Sequence, residues 1–488
     1  MRGALGWGIA CSVAGALWAC GGEEAVSDGA GGGGAAADDS ADDGAPGGAG
    51  GTGGSGPIGC AEPTGAGTVH DDYLIEADET WTAEDSPHYV TTSLSIRGAT
   101  VTVEKCALVV LSEGVGIEVG DSVGEPGVLV TRGVLDLEHE QPVVFTSESD
   151  DVYWRNIWID PTGTADLEGT ILRRGADVNQ PNANGVVVVF SVLELPVQKR
   201  LRMVNSAIVE AAGIGVNLGD YVGFTDDSDN LVIEDVGLEE PAFSSSDTRY
   251  PIFTTTAGLA TIPRGTYTGN YYDAIRVNGG SRYPLDVTIH DRGVPYDFDT
   301  DLHIEPDDET DITFEIEAGS TLRFHDGYGV YLGSGTGTAE AISNPRRVKL
   351  LAEGTEAAPI TFTSSEATPA AGDWIGVVWG GGPSSGNVMS YVTIDFAGAA
   401  NSHNGFGCSG SDSFAALLFR NWRPSSAFIE NSTFSNSLAD GIIEGWDSIS
   451  SGPNLTGNNT FTNVVRCDVT QPQVNGACPD SSNLPNCY

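Results

Sequence analysis

The feature that most narrows what this chain can fold into is a succession of short strand-like runs that never lengthens into a helix. SLSI (93–96), ATVTV (99–103), ALVVL (107–111), GIEV (116–119), PVVFTS (142–147) and NIWI (156–159) follow one another early in the chain. ITFEIEA (312–318), STLRF (320–324), PITFTS (359–364), IGVVW (375–379) and YVTI (391–394) do the same later. Each run is β-branched or alternating, and Gly, Asp, Asn or Ser closes it. No stretch keeps an apolar period near 3.6, so the reading is all-β with few, short helices.

The runs recur in order. PVVFTS is echoed by PITFTS, and each is followed by an acidic stretch and a Trp, Trp154 and Trp374. YVTTSLSI (89–96) is echoed by YDFDTDLHI (296–304), with one residue inserted. GIEVG (116–120) is echoed by GVYLG (329–333), and NSAIVEAAGIGV (205–216) by NSTFSNSLADGI (431–442). The kept order predicts a duplicated unit of roughly 170 residues. The first half is placed at 60–237, a connector at 238–279, the second half at 280–466 and a Cys-rich tail at 467–488. Antiparallel layouts need tight turns between strands. Asn184-Gly185, Asn278-Gly279 and Asn404-Gly405 could supply some, but such pairs do not stand between most runs. A solenoid fits better, because stacked coils repeat short strands and can be lengthened by duplication.

The second half, ITFEIEAGSTLRFHDGYGVYLG from Ile312, then RRVKLLAEGTEAAPITFTS, GDWIGVVW and SYVTIDFAGA, resembles the right-handed parallel β-helix domains of exported bacterial proteins. Those pectate-lyase-like solenoids carry similar A-x-G-T…P-I-x-F-T-S and G-D-W phrases. The resemblance implies a right-handed parallel β-helix and no single activity. The first half departs from it: VYW (152–154) stands for GDW, and LDLE (135–138) for AEGT.

The N-terminus suggests export. Arg2 precedes an apolar stretch from Gly3 to Ala19, and Leu17-Trp18-Ala19-Cys20 resembles a bacterial lipobox. The expectation is a signal peptide over 1–20 and lipid attachment at Cys20, with the sorting residues after it favouring the outer membrane. Residues 21–59 are Gly/Ala/Asp-rich and without apolar periodicity, and read as a disordered tether. A flexible coil of its 39 residues spans roughly 35 Å, at about 5–6 Å × √n. In an exported body, Cys60, Cys106, Cys408, Cys467, Cys478 and Cys487 read as disulfides. Cys60–Cys106 could clamp the N-terminal end. The spacing does not choose among the pairings of the other four.

Charge narrows the partners. The net charge is -46, with 68 acidic against 22 basic residues. A phosphate backbone needs the opposite surface, so nucleic acid is excluded as a partner class. An acidic, Lys-poor surface suits an exported protein or one bathed in divalent cations.

No phrase forms a recognisable catalytic set. NIWIDP (156–161) has Pro161 after Asp160, where some lyases of this fold have His. GDSVG around Ser122 and GPSSG around Ser384 lack the strand–turn–helix context of a nucleophile elbow. Asp297, Asp299 and Asp301 alternate along a run, and Asp226, Asp227 and Asp229 cluster. Either group could hold calcium loosely, and no other cofactor is implied. Lys199, Arg200 and Arg202, Arg173 and Arg174, and Arg346, Arg347 and Lys349 are expected to pair with neighbouring acids. The expected function is a lipid-anchored surface β-helix, structural or polysaccharide-binding, that touches glycan or surface proteins without catalysis. The alternative is a polysaccharide lyase or glycoside hydrolase.

Overall fold

The computed structural model describes residues 59–135, 140–176, 185–192, 195–238, 248–280, 282–308, 310–333, 346–380, 384–399, 415–419, 426–444, 453–471 and 486–488. All lie in one compact unit, Ser55–Tyr488. It is a parallel β-helix. The described strands are two to six residues long except Gln198–Val209, and the one antiparallel pair among them is the hairpin of Val134–Leu135 with Glu140–Gln141. Parallel pairing forces a crossover between partners, and here each crossover is the rest of one coil. The one helical element described is the 3₁₀ turn Thr256–Thr261.

A 14-stranded sheet runs from Leu74–Ile75 to Thr460–Thr462 and forms the spine. Over the first part of the chain the other two faces are one 13-stranded sheet, folded through Gln198–Val209. That long strand pairs with Thr164–Glu168 along its first part and with Thr170–Arg173 along its last. Over the second part those faces are separate 5-stranded sheets.

The alternation seen in the sequence decides which side chains enter the core. In Val143–Ser147 and in Ile360–Ser364 the burial alternates, with Phe145 and Phe362 inward. Phe145 stacks in a row Val109–Phe145–Leu172–Ile208–Ile233, one residue per coil. Phe362 stacks in Leu322–Phe362–Ile394–Phe434–Phe461. Strand spacing of ~4.8 Å brings like onto like, because each coil meets the next at one register.

The echoed phrases adopt the same local geometry. Trp154 and Trp374 are fully buried, and their indole N–H groups donate to the carbonyls of Arg173 (2.8 Å) and Asp395 (2.7 Å). Asn205 and Asn431 bend the chain with φ of 46° and 52°, a left-handed conformation that Asn tolerates better than most residues. The Ser after each, Ser206 and Ser432, donates to the carbonyl of Val204 or Glu430 and accepts the N–H of Thr170 or Val392.

The two phrases nevertheless occupy different faces. Val143–Ser147 lies in the folded sheet, and the spine strand of its coil is the next one, Ile157–Ile159. Ile360–Ser364 lies in the spine itself. The echo is therefore offset by one strand along the coil path. Residues 238–279, which the sequence reading takes for a connector, contain strands of the stack, Ile252–Thr255, Gly265–Thr266 and Ile275–Asn278.

Disulfides hold both ends. Cys60 is bonded to Cys106, and Cys467 to Cys487. Cys20, Cys408 and Cys478 lie outside the described residues.

Candidate functional site

A cleft of about 750 Å³ opens in the surface of the stack, within the size range of ligand pockets. Its cause is local. After the spine strand Ile252–Thr255 the chain forms the 3₁₀ turn Thr256–Thr261, sequence TAGLAT, where neighbouring coils place a strand. Thr256 and Ala257 make a floor of small side chains. Tyr221 from one neighbouring coil and Tyr283 from the other line the walls, their rings stacked with centroids 6.3 Å apart. Phe253, at the outward position of its strand, adds an aromatic face beside them.

The polar lining is held by a compact network. The Thr300 hydroxyl accepts the N–H groups of Gly279 (2.7 Å) and Gly280 (3.0 Å). Gly279 has to be glycine, because a Cβ there would lie 2.3 Å from the Asp301 carbonyl. Asn278 accepts from Gly280 N–H and from the Thr300 hydroxyl. The Oγ1 of Thr255 is buried without a hydrogen-bond partner among the described residues. Burial, and then the neighbouring Tyr221, push the Tyr283 phenol up to about 12, so that phenol is a neutral donor at physiological pH.

Arg282 is the cation of the cleft. It pairs with Glu305 (3.3 Å) and with Asp307. Glu305, only 5% exposed, also takes Arg346 (2.8 Å) and His303 (3.0 Å). Burial opposes ionisation of Glu305, but the hydrogen bonds from His303 and Arg346 outweigh it and hold its carboxyl below the usual range.

A second feature adjoins the cleft. Trp158 and Phe190 stack with ring centroids 5.5 Å apart, and Phe190 is 41% exposed. Gly219, in the cleft lining, sits where a Cβ would be 3.9 Å from the Phe190 Cα, so the pair abuts the rim. Beneath it Arg200, nearly buried, donates to the carbonyls of Asp160 and Phe190. Asp160 accepts from the Trp158 indole (3.0 Å); burial raises its carboxyl above the usual range despite that bond, and Asp121 adds to the rise. Asp121, on the preceding coil, is held below the usual range by the Val123 N–H and the Ser122 hydroxyl, with Arg97 assisting.

Most of the charged residues singled out in the sequence are otherwise taken up in ion pairs, several of them at the surface. Asp226 pairs with Lys199, Asp227 with Arg202 (2.7 Å) and Asp229 with Arg264 (3.5 Å). Arg202 also holds Asp166 and Glu168. Arg173 and Arg174 share Glu210. Asp297 is 4% exposed and clamped by Arg323, not spread on a solvent face, and Asp299 takes Arg276 (2.6 Å). Ser384 donates to Asp311. Among the described residues, no three His, Cys, Asp or Glu side chains converge as a metal ion would need. Sequence reasoning passed over Tyr221, Phe253, Arg282 and Tyr283. The one signal for them was TAGLAT, a run of small residues among β-branched strands.

Residues 298–407 match the family model of the pectate-lyase like beta helix domain. No curated protein and no solved structure matches the chain. With its stacked parallel sheets, the chain carries a pectate-lyase-like parallel β-helix domain.

Proposed function

We propose that this chain is a lipid-anchored glycan-binding protein whose ligand sits in the cleft beside the 3₁₀ turn Thr256–Thr261. The observation that carries the reading is the aromatic wall of Tyr221, Phe253 and Tyr283 beside a fixed set of hydrogen-bonding groups. Sugars present both C–H faces and hydroxyl edges, and an aromatic wall with a polar rim answers both. The test is affinity electrophoresis through gels containing soluble polysaccharides. Retardation that is lost in Phe253→Ala and Tyr221→Ala, with the unfolding midpoint kept, supports the reading. Equal mobility of variants and parent rejects it.

The lipobox motivates the anchor. Cys20→Ser is expected to move the protein from the membrane pellet to the soluble fraction, and unchanged sedimentation rejects lipidation at that residue. Acyl chains contribute ~0.8 kcal/mol per buried CH₂, enough for stable attachment when more than one is present.

A second reading is supported by the opposed carboxyls of Asp160 and Asp121 on successive coils. Environments that push two carboxyls apart suit a general acid and its partner, as in glycoside hydrolysis. Release of reducing ends from a bound glycan, abolished by Asp160→Asn with binding intact, would establish it in place of simple binding.

A further inference from the structure

Asn278-Gly279 stands in the wall of the cleft with both residues described, whereas Asn184 and Asn404-Gly405 lie outside the described residues. An Asn-Gly pair carries a chemical liability. The backbone nitrogen of the glycine attacks the side-chain carbonyl carbon of the asparagine, and glycine has no Cβ to hinder the approach. The new N–C bond closes a five-membered succinimide. The C–N bond of the side-chain amide breaks, and the amide nitrogen leaves as ammonia with the proton that the glycine nitrogen gives up. Water then opens the ring at either carbonyl and leaves aspartate or isoaspartate.

Packing imposes this pair on the sequence. Gly279 is buried, and a Cβ there would lie 2.3 Å from the Asp301 carbonyl oxygen. Asn278 is exposed, and its Oδ1 accepts the Gly280 N–H (3.2 Å) and the Thr300 hydroxyl (3.4 Å).

The same surroundings oppose the reaction. The hydrogen that the Gly279 nitrogen must lose is the one it donates to Thr300 Oγ1 at 2.7 Å. A succinimide nitrogen carries no hydrogen, so ring closure forfeits that bond and leaves Thr300 with the Gly280 N–H (3.0 Å). The backbone on either side is held too. Asn278 pairs with Thr255 at the end of its strand, and the Gly279 carbonyl accepts the Thr256 hydroxyl (3.4 Å). Isoaspartate would add a methylene to the main chain next to Gly279, which has no room even for a Cβ.

We infer that Asn278 is a latent deamidation site in the cleft wall and that the Thr300 hydroxyl is the latch that holds it unreacted. Reaction there adds a carboxylate to a wall that already carries Asp220, so the latch sets how long the cleft keeps its charge. No ligand takes part in this chemistry, which holds whether or not the cleft binds glycan.

The test incubates the full chain at mildly alkaline pH, folded and in parallel unfolded in guanidinium chloride. Peptide mapping by mass spectrometry follows Asn278 separately from Asn184 and Asn404, and an isoaspartyl methyltransferase distinguishes isoaspartate from aspartate. Asn278 reacts more slowly in the folded parent than in the unfolded chain. Thr300→Val and Thr300→Ala raise the folded rate by about tenfold, the factor that one ordinary hydrogen bond is worth. Thr300→Ser keeps the hydroxyl and reacts as the parent does. Phe145→Ala, a core truncation in an earlier coil, lowers the melting midpoint and leaves the Asn278 rate at the parent's value. Melting curves establish that each variant is folded. Equal rates in the folded and unfolded parent overturn the latent site. Folded Thr300→Val and Thr300→Ala at the parent's rate, or Thr300→Ser as fast as they are, overturn the latch. A Phe145→Ala rate raised as far as theirs also overturns it, because general opening of the stack would then set the rate.

Discussion

Phe362→Ala separates scaffold from site in the echoed phrase. Phe362 is 1% exposed and lies in the inner row between Leu322 and Ile394. Truncation removes a buried aromatic side chain and leaves a cavity between two fixed strands. The strands above and below are hydrogen-bonded on both sides, so the site cannot collapse far. The cost is about 3–5 kcal/mol, the range for Phe→Ala in a packed core. At ~2.1 cal/mol/K of unfolding entropy per residue over a stack of this size, the midpoint falls by about 3–6 °C if unfolding is cooperative. Phe145→Ala, between Val109 and Leu172, should cost the same within error. The assay is thermal unfolding followed by far-ultraviolet circular dichroism, with glycan titration of the folded variant at low temperature. Lowered midpoints with unchanged affinity are expected. Unchanged midpoints with lost affinity would refute the reasoning, because they would make the phrase a contact surface and not a rung of the core.

Other perturbations report on separate parts of the stack. Arg323→Met strands the buried Asp297, whose carboxyl burial already raises against the pull of Arg323. Breaking such a pair costs about 3–5 kcal/mol. Because a raised carboxyl favours the protonated folded form, the variant should regain stability as pH falls from neutral toward the ordinary Asp range, visible as a rising midpoint in urea. His70 is held below its ordinary 6.5 by burial and by His88, whose ring lies 3.1 Å away, with Glu79 opposing. A depressed His is protonated more readily in the unfolded chain, so stability should drop as pH falls below 6.5. That drop should shrink in His70→Gln, measured by melting at pH 7.5 and 5.5. Cys106→Ala opens a bridge that closes 46 residues; chain entropy puts the loss at about 3–4 kcal/mol, and proteolysis should begin in the segment before residue 70.

The fold is legible because its signal is local. Val143–Ser147 and Ile360–Ser364 each show in five residues which side is core, and the stack repeats that information at every coil. The bends are equally local, since Asn205 and Asn431 sit where a left-handed residue is required. Ion pairs are half legible. Basic clusters in an acidic chain must find acids, but that Arg200 would be buried against two carbonyls depends on where Phe190 turns back. Asp297 and Asp299 show how a pattern can mislead. Alternation puts them on the outer face, yet that face is covered at Asp297, and both carboxylates are taken by arginines from adjacent spine strands, Arg323 and Arg276.

The cleft was not legible because no single coil contains it. Tyr221, Phe253 and Tyr283 come from successive turns of the chain, and each is an ordinary strand-end or outward aromatic by itself. What brings them together is the 3₁₀ turn Thr256–Thr261, the one helical element among the described residues. A regular solenoid offers nearly the same surface at every level, since each strand is backed by a like strand one spacing away. The 3₁₀ turn breaks that regularity: small residues stand where a strand would lie, and larger rings from either side lean over the gap. The same argument predicts what would erase the site without touching its aromatic walls. Ala257→Leu, on the 6%-exposed floor of the cleft, fills part of the gap and should abolish glycan binding. Overpacking there costs about 1–3 kcal/mol, so the variant should remain folded. If Ala257→Leu binds glycan as the parent does, ligand recognition does not depend on the open floor of the cleft, and the aromatic pair at Trp158 and Phe190 becomes the place to look.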